Sequence, residues 1–211
     1  EESGNTQLGL TAHTNIAKMY SNLSRYDEAA AAYETLLTTA KANADRPLEA
    51  TTLQNLGDLQ RTSGNYANVF ERYQAALTIQ QELGDQAAVA HLHTSIGDAY
   101  SDLGQFAQAL PSYQEALAIY QSAALPDDAL AMLNAIGSTY YGMGAYEEAI
   151  ASFRAAVALI GADTNPTNSI ETYANLGKLL RAVRDYDGSL TEYQRALEEV
   201  RKVGDQATEA K

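Results

Sequence analysis

Cysteine and tryptophan are absent from this chain of 211 residues, and basic residues are scarce. Without cysteine the chain can form no disulfide bond, no thiol nucleophile and no cysteine-ligated zinc site. Its 14 Lys and Arg residues stand against 27 Asp and Glu residues, a net charge of −13. That balance argues against nucleic acid as a partner, because proteins that bind it need a basic surface. No apolar run is long enough to span a bilayer, so we expect no membrane insertion.

Residues that carry catalysis or bind metals are also scarce. The histidines are His13, His91 and His93, and the last two would face different sides of a helix, so they cannot share an ion. Asp98 and Asp102 are interpreted as two surface carboxylates, with a weak cation site as the alternative. The chain has no metalloprotease motif, no phosphate-binding glycine loop and no nucleophile elbow. We therefore expect no enzyme activity, no cofactor and no bound metal.

What the chain contains instead is a pattern that returns every 40 residues. Aromatic residues keep this period twice, at Tyr26, Tyr66, Phe106, Tyr146 and Tyr186 and again at Tyr33, Tyr73, Tyr113, Phe153 and Tyr193. Small residues keep it at Ala17, Gly57, Gly97, Gly137 and Gly177. A register held over five copies is typical of a solenoid, whose units bury their apolar faces on their neighbours. The sequence predicts a single array over 1–211, with units at about 8–44, 47–84, 86–124, 127–161 and 167–203 and the start of a sixth at 204–211.

Each unit is predicted to contain two helices. In the second unit, Leu53, Leu56 and Gly57 recur at helical spacing in a first helix, and Tyr73 and Leu77 do so in a second. Glycine inside a helix costs about 1 kcal/mol relative to alanine, so the helix glycines need a compensating role. We expect the aromatic residue of the second helix to lie directly against the backbone of the glycine. The aromatic column beginning at Tyr33 is then core, with a ligand-stacking platform as the alternative.

Glycine also marks the turns. Ser63-Gly64-Asn65 predicts a helix stop, because glycine adopts the left-handed conformation freely, and Gly104 and Gly144 repeat it. Ser24 and Arg184 replace this glycine in the first and last units, where we expect looser or differently built turns.

Capping residues and prolines mark the other helix ends. Leu83-Gly84-Asp85 and Val203-Gly204-Asp205 predict the stop of one helix and the start of the next. Asn165-Pro166 and Pro126 predict helix starts with proline in the first turn. Pro111 falls inside a second helix, where we expect it to kink or delay that helix.

This combination of features resembles the tetratricopeptide repeat. The residues that carry the match best are Ile96-Gly97, Tyr100, Gly104, Phe106, Ala109, Tyr113 and Ala116. The usual unit has about 34 residues, so the period of 40 resembles the longer-helix subclass found in kinesin light chains and in many bacterial signalling proteins. The tryptophan of the family is missing, and its column holds His13, Leu53, His93, Leu133 and Tyr173. The resemblance implies an all-α fold, a right-handed superhelical solenoid of helix-turn-helix repeats.

The resemblance also implies that the first helices line an inner groove that binds a partner. Helical spacing supports this, since Gln54, Asp58 and Arg61 share one face of a first helix, although a plain solvated face is the alternative. The residues expected in the groove are Thr14, Asn15, Lys18, Gln54, Asn55, Asp58, Arg61, Thr94, Asp98, Asn134, Ser138, Tyr141, Glu171, Asn175, Lys178 and Arg181.

Charge within the expected groove is balanced, so the excess negative charge should lie on outer residues. Those residues include Glu28, Glu71, Glu115, Glu148 and Glu198. We expect the partner to be a peptide or helix of another protein with mixed charge. Its basic part would lie over Asp58 and Asp98, and its acidic part near Arg181.

Two other functions remain open from the sequence. Uncapped solenoid ends expose apolar surface, so self-association into a scaffold of copies stacked end to end is one. A regulatory arm of a larger signalling protein is the other.

Overall fold

The described part of the chain consists of ten α-helices joined by short turns. This computed structural model describes the backbone of residues 2–161 and 164–209, and the side chains of residues 9–161 and 164–204. In chain order the helices are α1 (Glu2–Asn22), α2 (Tyr26–Ala42), α3 (Arg46–Thr62), α4 (Val69–Leu83), α5 (Gln86–Asp102), α6 (Phe106–Ser122), α7 (Pro126–Gly142), α8 (Tyr146–Leu159), α9 (Pro166–Ala182) and α10 (Tyr186–Glu209). No strand occurs within these described ranges, and the all-α class is confirmed.

The helices group into two compact units, Glu1–Ala99 and Tyr100–Lys211, with the boundary inside α5. In the first unit α1 packs on α2, α2 on α3, and α3 on α4. In the second unit α6 packs on α7, α7 on α8 and α9, α8 on α9, and α9 on α10. The odd-numbered helices are the first helices of the predicted repeats, and the even-numbered ones are the second.

A left-handed residue follows the first helix of all five predicted repeats. Its φ angle is 57° at Ser24, 76° at Gly64, 68° at Gly104, 76° at Gly144 and 67° at Arg184. In every case the next N–H donates to the carbonyl oxygen five residues back, at 2.8 to 3.0 Å. The three glycine stops are confirmed. The expectation of a different turn at Ser24 and Arg184 is wrong, because the hydrogen bonds and helix packing outweigh a conformational cost of about 1–2 kcal/mol.

The turns between repeats follow a second common pattern. Gly84 takes the left-handed conformation with φ 76°, and Asp85 caps α5 by accepting a hydrogen bond from the Ala88 N–H at 3.0 Å, so the predicted stop and start are confirmed. Ala44 and Ala124 occupy the column of Gly84 and are also left-handed, with φ of 52° and 54°. Sequence reasoning missed these two turns because alanine carries no left-handed preference.

Proline begins two helices as predicted. α7 starts at Pro126, and α9 starts at Pro166, where Asn165 Oδ1 accepts a hydrogen bond from the Thr167 N–H at 3.0 Å. Proline at this position removes only an N–H that would lack an intrahelical partner in any case.

Two predicted interruptions do not occur. α6 begins at Phe106 and continues past Pro111 to Ser122, so Pro111 does not delay the helix, while the predicted kink stays a prediction. α10 continues through Gly204 to Glu209, so the predicted stop at Val203-Gly204-Asp205 is wrong. Glycine inside a helix costs only about 1 kcal/mol, which is too little to end the helix without a packing gain from a turn.

The helix glycines pack against aromatic rings, as predicted. A Cβ added to Gly57 would lie 2.5 Å from Cε1 of Tyr73, and one added to Gly137 would lie 2.8 Å from Cε1 of Phe153. Because Gly57 and Gly137 have no side chain, the two rings can lie in direct contact with the helix backbone. Sequence reasoning missed a further contact of this kind, between Gly142 and Phe106.

The aromatic column is core over most of its length. Tyr33, Tyr73, Tyr113 and Phe153 are 3% exposed or less, which confirms the prediction, whereas Tyr193 on α10 is 37% exposed.

Candidate functional site

Polar side chains of the first helices surround a depression in the first unit, here called the Asp58 pocket. Its volume is about 210 Å³. Its walls are Lys18, Ser21, Asn22, Tyr33, Asn55, Asp58, Leu59 and Thr62. Lys18, Asn55 and Asp58 come together here from the set expected in the groove. Tyr33 was not in the set expected in the groove, because its column was interpreted as core, with a ligand-stacking platform as the alternative.

Asp58 is held in this pocket by donors from other helices. The hydroxyl of Tyr73, on α4, donates to Asp58 Oδ1 at 2.7 Å. Burial raises the pKa of the Asp58 carboxyl above its usual value, and the charge of Asp98 acts in the same direction. Hydrogen bonds from Tyr73 and Ser95 and the charge of Arg61 oppose this shift. Burial and the nearby Asp58 charge also raise the pKa of Tyr73, so its hydroxyl stays protonated and donates.

One guanidinium serves two carboxylates beside the pocket. Arg61 Nη1 lies 3.8 Å from Asp98 Oδ2, and the same side chain acts on Asp58 by its charge. The Arg61 guanidinium is therefore shared between the carboxylates of Asp58 and Asp98.

Other residues expected on this face in the first unit serve different contacts. The Thr14 and Thr94 hydroxyls donate to the carbonyl oxygens of Leu10 and Ala90, at 3.0 and 3.1 Å, within their own helices. Asn15 is exposed and Gln54 is half-buried.

In the second unit, a smaller depression of about 40 Å³ lies between α7 and α9. Its walls are Ser138, Tyr141, Phe153, Asn175, Lys178 and Leu179. Lys178 Nζ lies 5.6 Å from the centroid of the Tyr141 ring, within range of a cation–π interaction. Ser138, Tyr141, Asn175 and Lys178 of the set expected in the groove therefore lie together around this depression.

Charged residues around this depression are exposed. Lys178, Arg181 and Arg184 form a basic group at the end of α9, and Glu171 is exposed near the start of that helix. Cations at the end of a helix also stabilise it through the helix dipole, so the group has a structural role as well.

Asn134 differs from the other residues of the expected set. It is 6% exposed, and its Nδ2 donates to Thr172 Oγ1 at 2.7 Å, which joins α7 to α9. Its side chain is therefore used inside the second unit and does not reach a partner.

A larger cleft of about 530 Å³ lies between α2, α3 and α4, away from the Asp58 pocket. Two of its cations already have acidic partners. Arg46 pairs with Glu49 at 3.0 Å and with Glu82 at 2.5 Å, and Arg72 pairs with Glu34 at 2.6 Å. The cleft was not predicted, because its walls come from three different helices.

The acidic residues that were predicted to lie outside the groove are on the surface. The outer glutamates Glu28, Glu71, Glu115, Glu148 and Glu198 are all exposed. Across the described ranges, no three His, Asp or Glu side chains are grouped so that they could hold a metal ion. None of the described helices is both long and apolar enough to cross a membrane.

Comparison with known proteins identifies the repeat. The family model for the tetratricopeptide repeat matches residues 10–82, 64–122 and 127–198. BtubC (BKLC) from P. vanneervenii is similar in structure, with 21% identity, a TM-score of 0.81, and coverage of 91% of this chain and 80% of that chain. A kinesin-light-chain-type protein of nearly identical TPR-like repeats from Podosopora anserina has 18% identity, a TM-score of 0.73, and coverage of 94% and 96%. MamA from Desulfovibrio magneticus RS-1 has 17% identity, a TM-score of 0.67, and coverage of 92% and 96%. No curated protein sequence matches the chain.

These solved structures share the fold of this chain, and the family match extends over most of its length. The predicted solenoid of helix-turn-helix repeats and its likeness to kinesin light chains are confirmed. Proteins built from these repeats are generally interaction modules without enzyme activity. The chain belongs to the tetratricopeptide repeat family.

Proposed function

We propose that this protein binds a peptide or a helix of another protein on the polar faces of its first helices, without catalysing a reaction. The observation that carries the proposal is that side chains of these helices surround a depression in each unit. α1 and α3 contribute to the one in the first unit, and α7 and α9 to the one in the second. Family membership supports the proposal.

The chemistry of these faces suits a polypeptide ligand. Asn55 and Asn175 border the two depressions and are half-buried, so their orientation is restrained while part of each amide stays accessible. An amide side chain donates and accepts hydrogen bonds, and the backbone of an extended peptide needs both.

The charges of the two faces differ, which supports a partner of mixed charge. The first unit presents Asp58 and Asp98 with the shared Arg61, and the second presents Lys178 and Arg181. A partner with basic and acidic segments would match both faces, and charge complementarity of this kind sets specificity and the rate of association.

The test is a quantitative pull-down from a lysate of the source organism, with mass spectrometry of the captured proteins. The bait is the wild-type chain beside the double variant Tyr141→Ala with Arg181→Glu. We expect a protein that wild type retains and the double variant loses, because the variant removes a ring and reverses a charge on the α7 and α9 face.

Arg154→Glu is the matched control, since Arg154 is an exposed arginine of the same unit that lies on α8. It should retain the partner, and all baits should have equal helical circular dichroism. A partner retained equally by wild type and the double variant would contradict the proposal.

Self-association through exposed apolar faces is the second candidate, and a specific observation favours it. On α10 the exposed apolar side chains are Tyr186, Leu190, Leu197, Val200 and Val203, with exposures from 41% to 64%. On α1 and directly after it they are Ile16, Met19 and Leu23, with exposures from 48% to 62%. In a solenoid such faces stack on a neighbouring repeat.

Light scattering against concentration separates the two candidates. A binding module keeps the mass of one chain, 22.7 kDa, as concentration rises. A stacking scaffold grows in mass, and Leu190→Glu with Leu197→Glu would then restore the single-chain mass.

A further inference from the structure

We propose that the Asp58 pocket is a subsite for a lysine or arginine side chain of the partner, and that Tyr73 positions the Asp58 carboxylate for it. This inference rests on the function proposed above, and it names the residue type that the first unit recognises.

The shape and walls of the pocket suit such a side chain. Its volume of about 210 Å³ leaves room for several water molecules. Leu59 and the ring of Tyr33 provide apolar wall, while Ser21, Asn55 and Asp58 provide polar wall. A lysine or arginine side chain has the same division, with an apolar stem and a charged head.

The Asp58 carboxylate offers hydrogen-bond acceptors to a cation that enters the pocket. Asp58 is half-buried, and the Arg61 guanidinium whose charge acts on it also lies 3.8 Å from Asp98. Tyr73 and Ser95 donate to its carboxylate, which accepts about four hydrogen bonds in all. Accepting positions are therefore left for the head of a partner side chain.

Tyr73 is suited to position this carboxylate because its ring cannot move. The ring is fully buried and lies against Gly57, so the hydroxyl that donates to Asp58 is held in place. Two periods later, Ser138 stands in the column of Asp58, and Phe153 stands in the column of Tyr73. In that repeat the carboxylate and the hydroxyl are both absent, whereas Lys18 and Lys178 stand in the Asp58 column of repeats that keep Tyr33 and Tyr193.

Lys18 also lines the pocket and is exposed. Its ammonium group repels an incoming cation and competes with it for Asp58. Removing Lys18 should therefore strengthen binding of a cation, a result that a purely structural pocket would not give.

The test uses n-butylammonium as a mimic of the lysine head and stem, with n-butanol as the neutral control. Each is titrated into the full ¹⁵N-labelled chain at pH 7 and physiological salt while amide chemical shifts are recorded. We expect saturable shifts at Asn55, Asp58 and Thr62 with n-butylammonium and none with n-butanol at equal concentration. Equal shifts with the two probes would overturn the proposal.

Variants of the pocket residues test what each side chain contributes to binding of n-butylammonium. Lys18→Ala should tighten binding of n-butylammonium severalfold, and Asp58→Asn should abolish it. Tyr73→Phe should weaken it by about tenfold, the range for a hydrogen bond to a charged group. The matched control Tyr193→Phe changes the same column in the second unit and should have no effect. Shifts that persist in Asp58→Asn would contradict the role of this carboxylate.

The pH dependence of n-butylammonium binding shows whether Tyr73 positions the Asp58 carboxylate or only packs in the core. Binding requires the ionised carboxylate, so it should be lost on acidification. Tyr73→Phe removes a donor that lowers the pKa of Asp58, so the loss should occur at a higher pH in this variant. An unshifted profile would mean that Tyr73 acts through packing alone.

The pull-down described above separates this inference from the proposed function. If the double variant loses its partner while n-butylammonium does not bind, the binding function stands and only the cationic subsite fails.

Discussion

Glycine at position 57 meets a packing requirement, since its backbone is helical and lies against a buried ring. Tyr73 is fully buried, and its ring occupies the space that a side chain at Gly57 would need. The same ring carries the hydroxyl that holds Asp58. One glycine thus links core packing to the polar face.

Gly57→Ala should lower the free energy of unfolding by about 1–3 kcal/mol, the usual cost of overpacking a core. The added Cβ would lie 2.5 Å from Cε1 of Tyr73, which has no room to move. Gly177→Ala is the matched variant, because its Cβ would lie 3.2 Å from the partly exposed Tyr193. A better helix propensity of about 1 kcal/mol should make that change neutral or stabilising. Urea unfolding measures both, and equal losses would contradict this account.

Asp58→Asn should stabilise the protein more at neutral than at acidic pH. Burial raises the pKa of Asp58 in the folded protein, so the folded state favours the protonated carboxyl. In wild type, Asp58 therefore contributes its full stabilisation at pH values below about 4, the pKa of the carboxyl in the unfolded chain. This contribution is lost as the pH rises through the higher pKa of Asp58 in the folded protein. Asparagine stays neutral and still accepts a hydrogen bond from Tyr73.

The measurement is the difference in the free energy of unfolding between this variant and wild type, from urea titrations across pH. It should be smallest below pH 4 and grow with pH, and a difference independent of pH would be the contrary result. A carboxylate that lowers stability when ionised is consistent with a role in binding.

At the scale of elements, the hairpin turn depends on its hydrogen bonds more than on its residue. Ser24 and Arg184 form the same turn as Gly64, Gly104 and Gly144, with the same hydrogen bond from the following N–H. The helices on either side of the turn fix its geometry, and a side chain in the left-handed conformation is tolerated at a cost.

Ala124→Gly should raise the free energy of unfolding by about 1 kcal/mol, because Ala124 has φ 54° and the left-handed conformation is unfavourable for alanine. The neighbour Ala123 has φ −83°, so Ala123→Gly should give no gain and should cost up to about 1 kcal/mol in backbone entropy. Thermal unfolding of both variants checks the sign, and a gain in Ala123→Gly would refute the argument.

At the scale of the whole molecule, stability should be distributed along the chain. In both units each described contact joins helices that are one or two positions apart in chain order. A repeat protein of this kind is stabilised by each repeat and by its contacts with neighbours.

Gly57→Ala should therefore reduce amide hydrogen-exchange protection more in α3 and α4 than in α7 and α8, and Gly137→Ala should do the reverse. Both glycines lie against buried rings, Tyr73 and Phe153, so the two variants are matched in kind. Mass-spectrometric exchange by peptide measures the two patterns. A uniform loss of protection in either variant would show that the chain unfolds as one cooperative body.

Much of the fold could be predicted from the sequence because the relevant interactions are local or periodic. The sequence predicts the 40-residue register, the glycine stops and the proline starts at Pro126 and Pro166. It also predicts the packing of aromatic rings on the helix glycines. The same register indicated the columns expected to line a groove. A pattern repeated five times compensates for the weak information in any single turn.

Tertiary structure alone decided what the polar columns do. Tyr73 reaches Asp58 across 15 residues of sequence, and Asn134 reaches Thr172 across 38, so one column residue faces a pocket and another is buried. The turn at Ser24 and the continuation of α10 through Gly204 were decided in the same way. Periodicity gives the face of a helix on which a side chain lies, but the crossing of two helices determines which atoms meet across it. Those contacts fix the charge and the accessibility of Asp58, on which the proposed recognition depends.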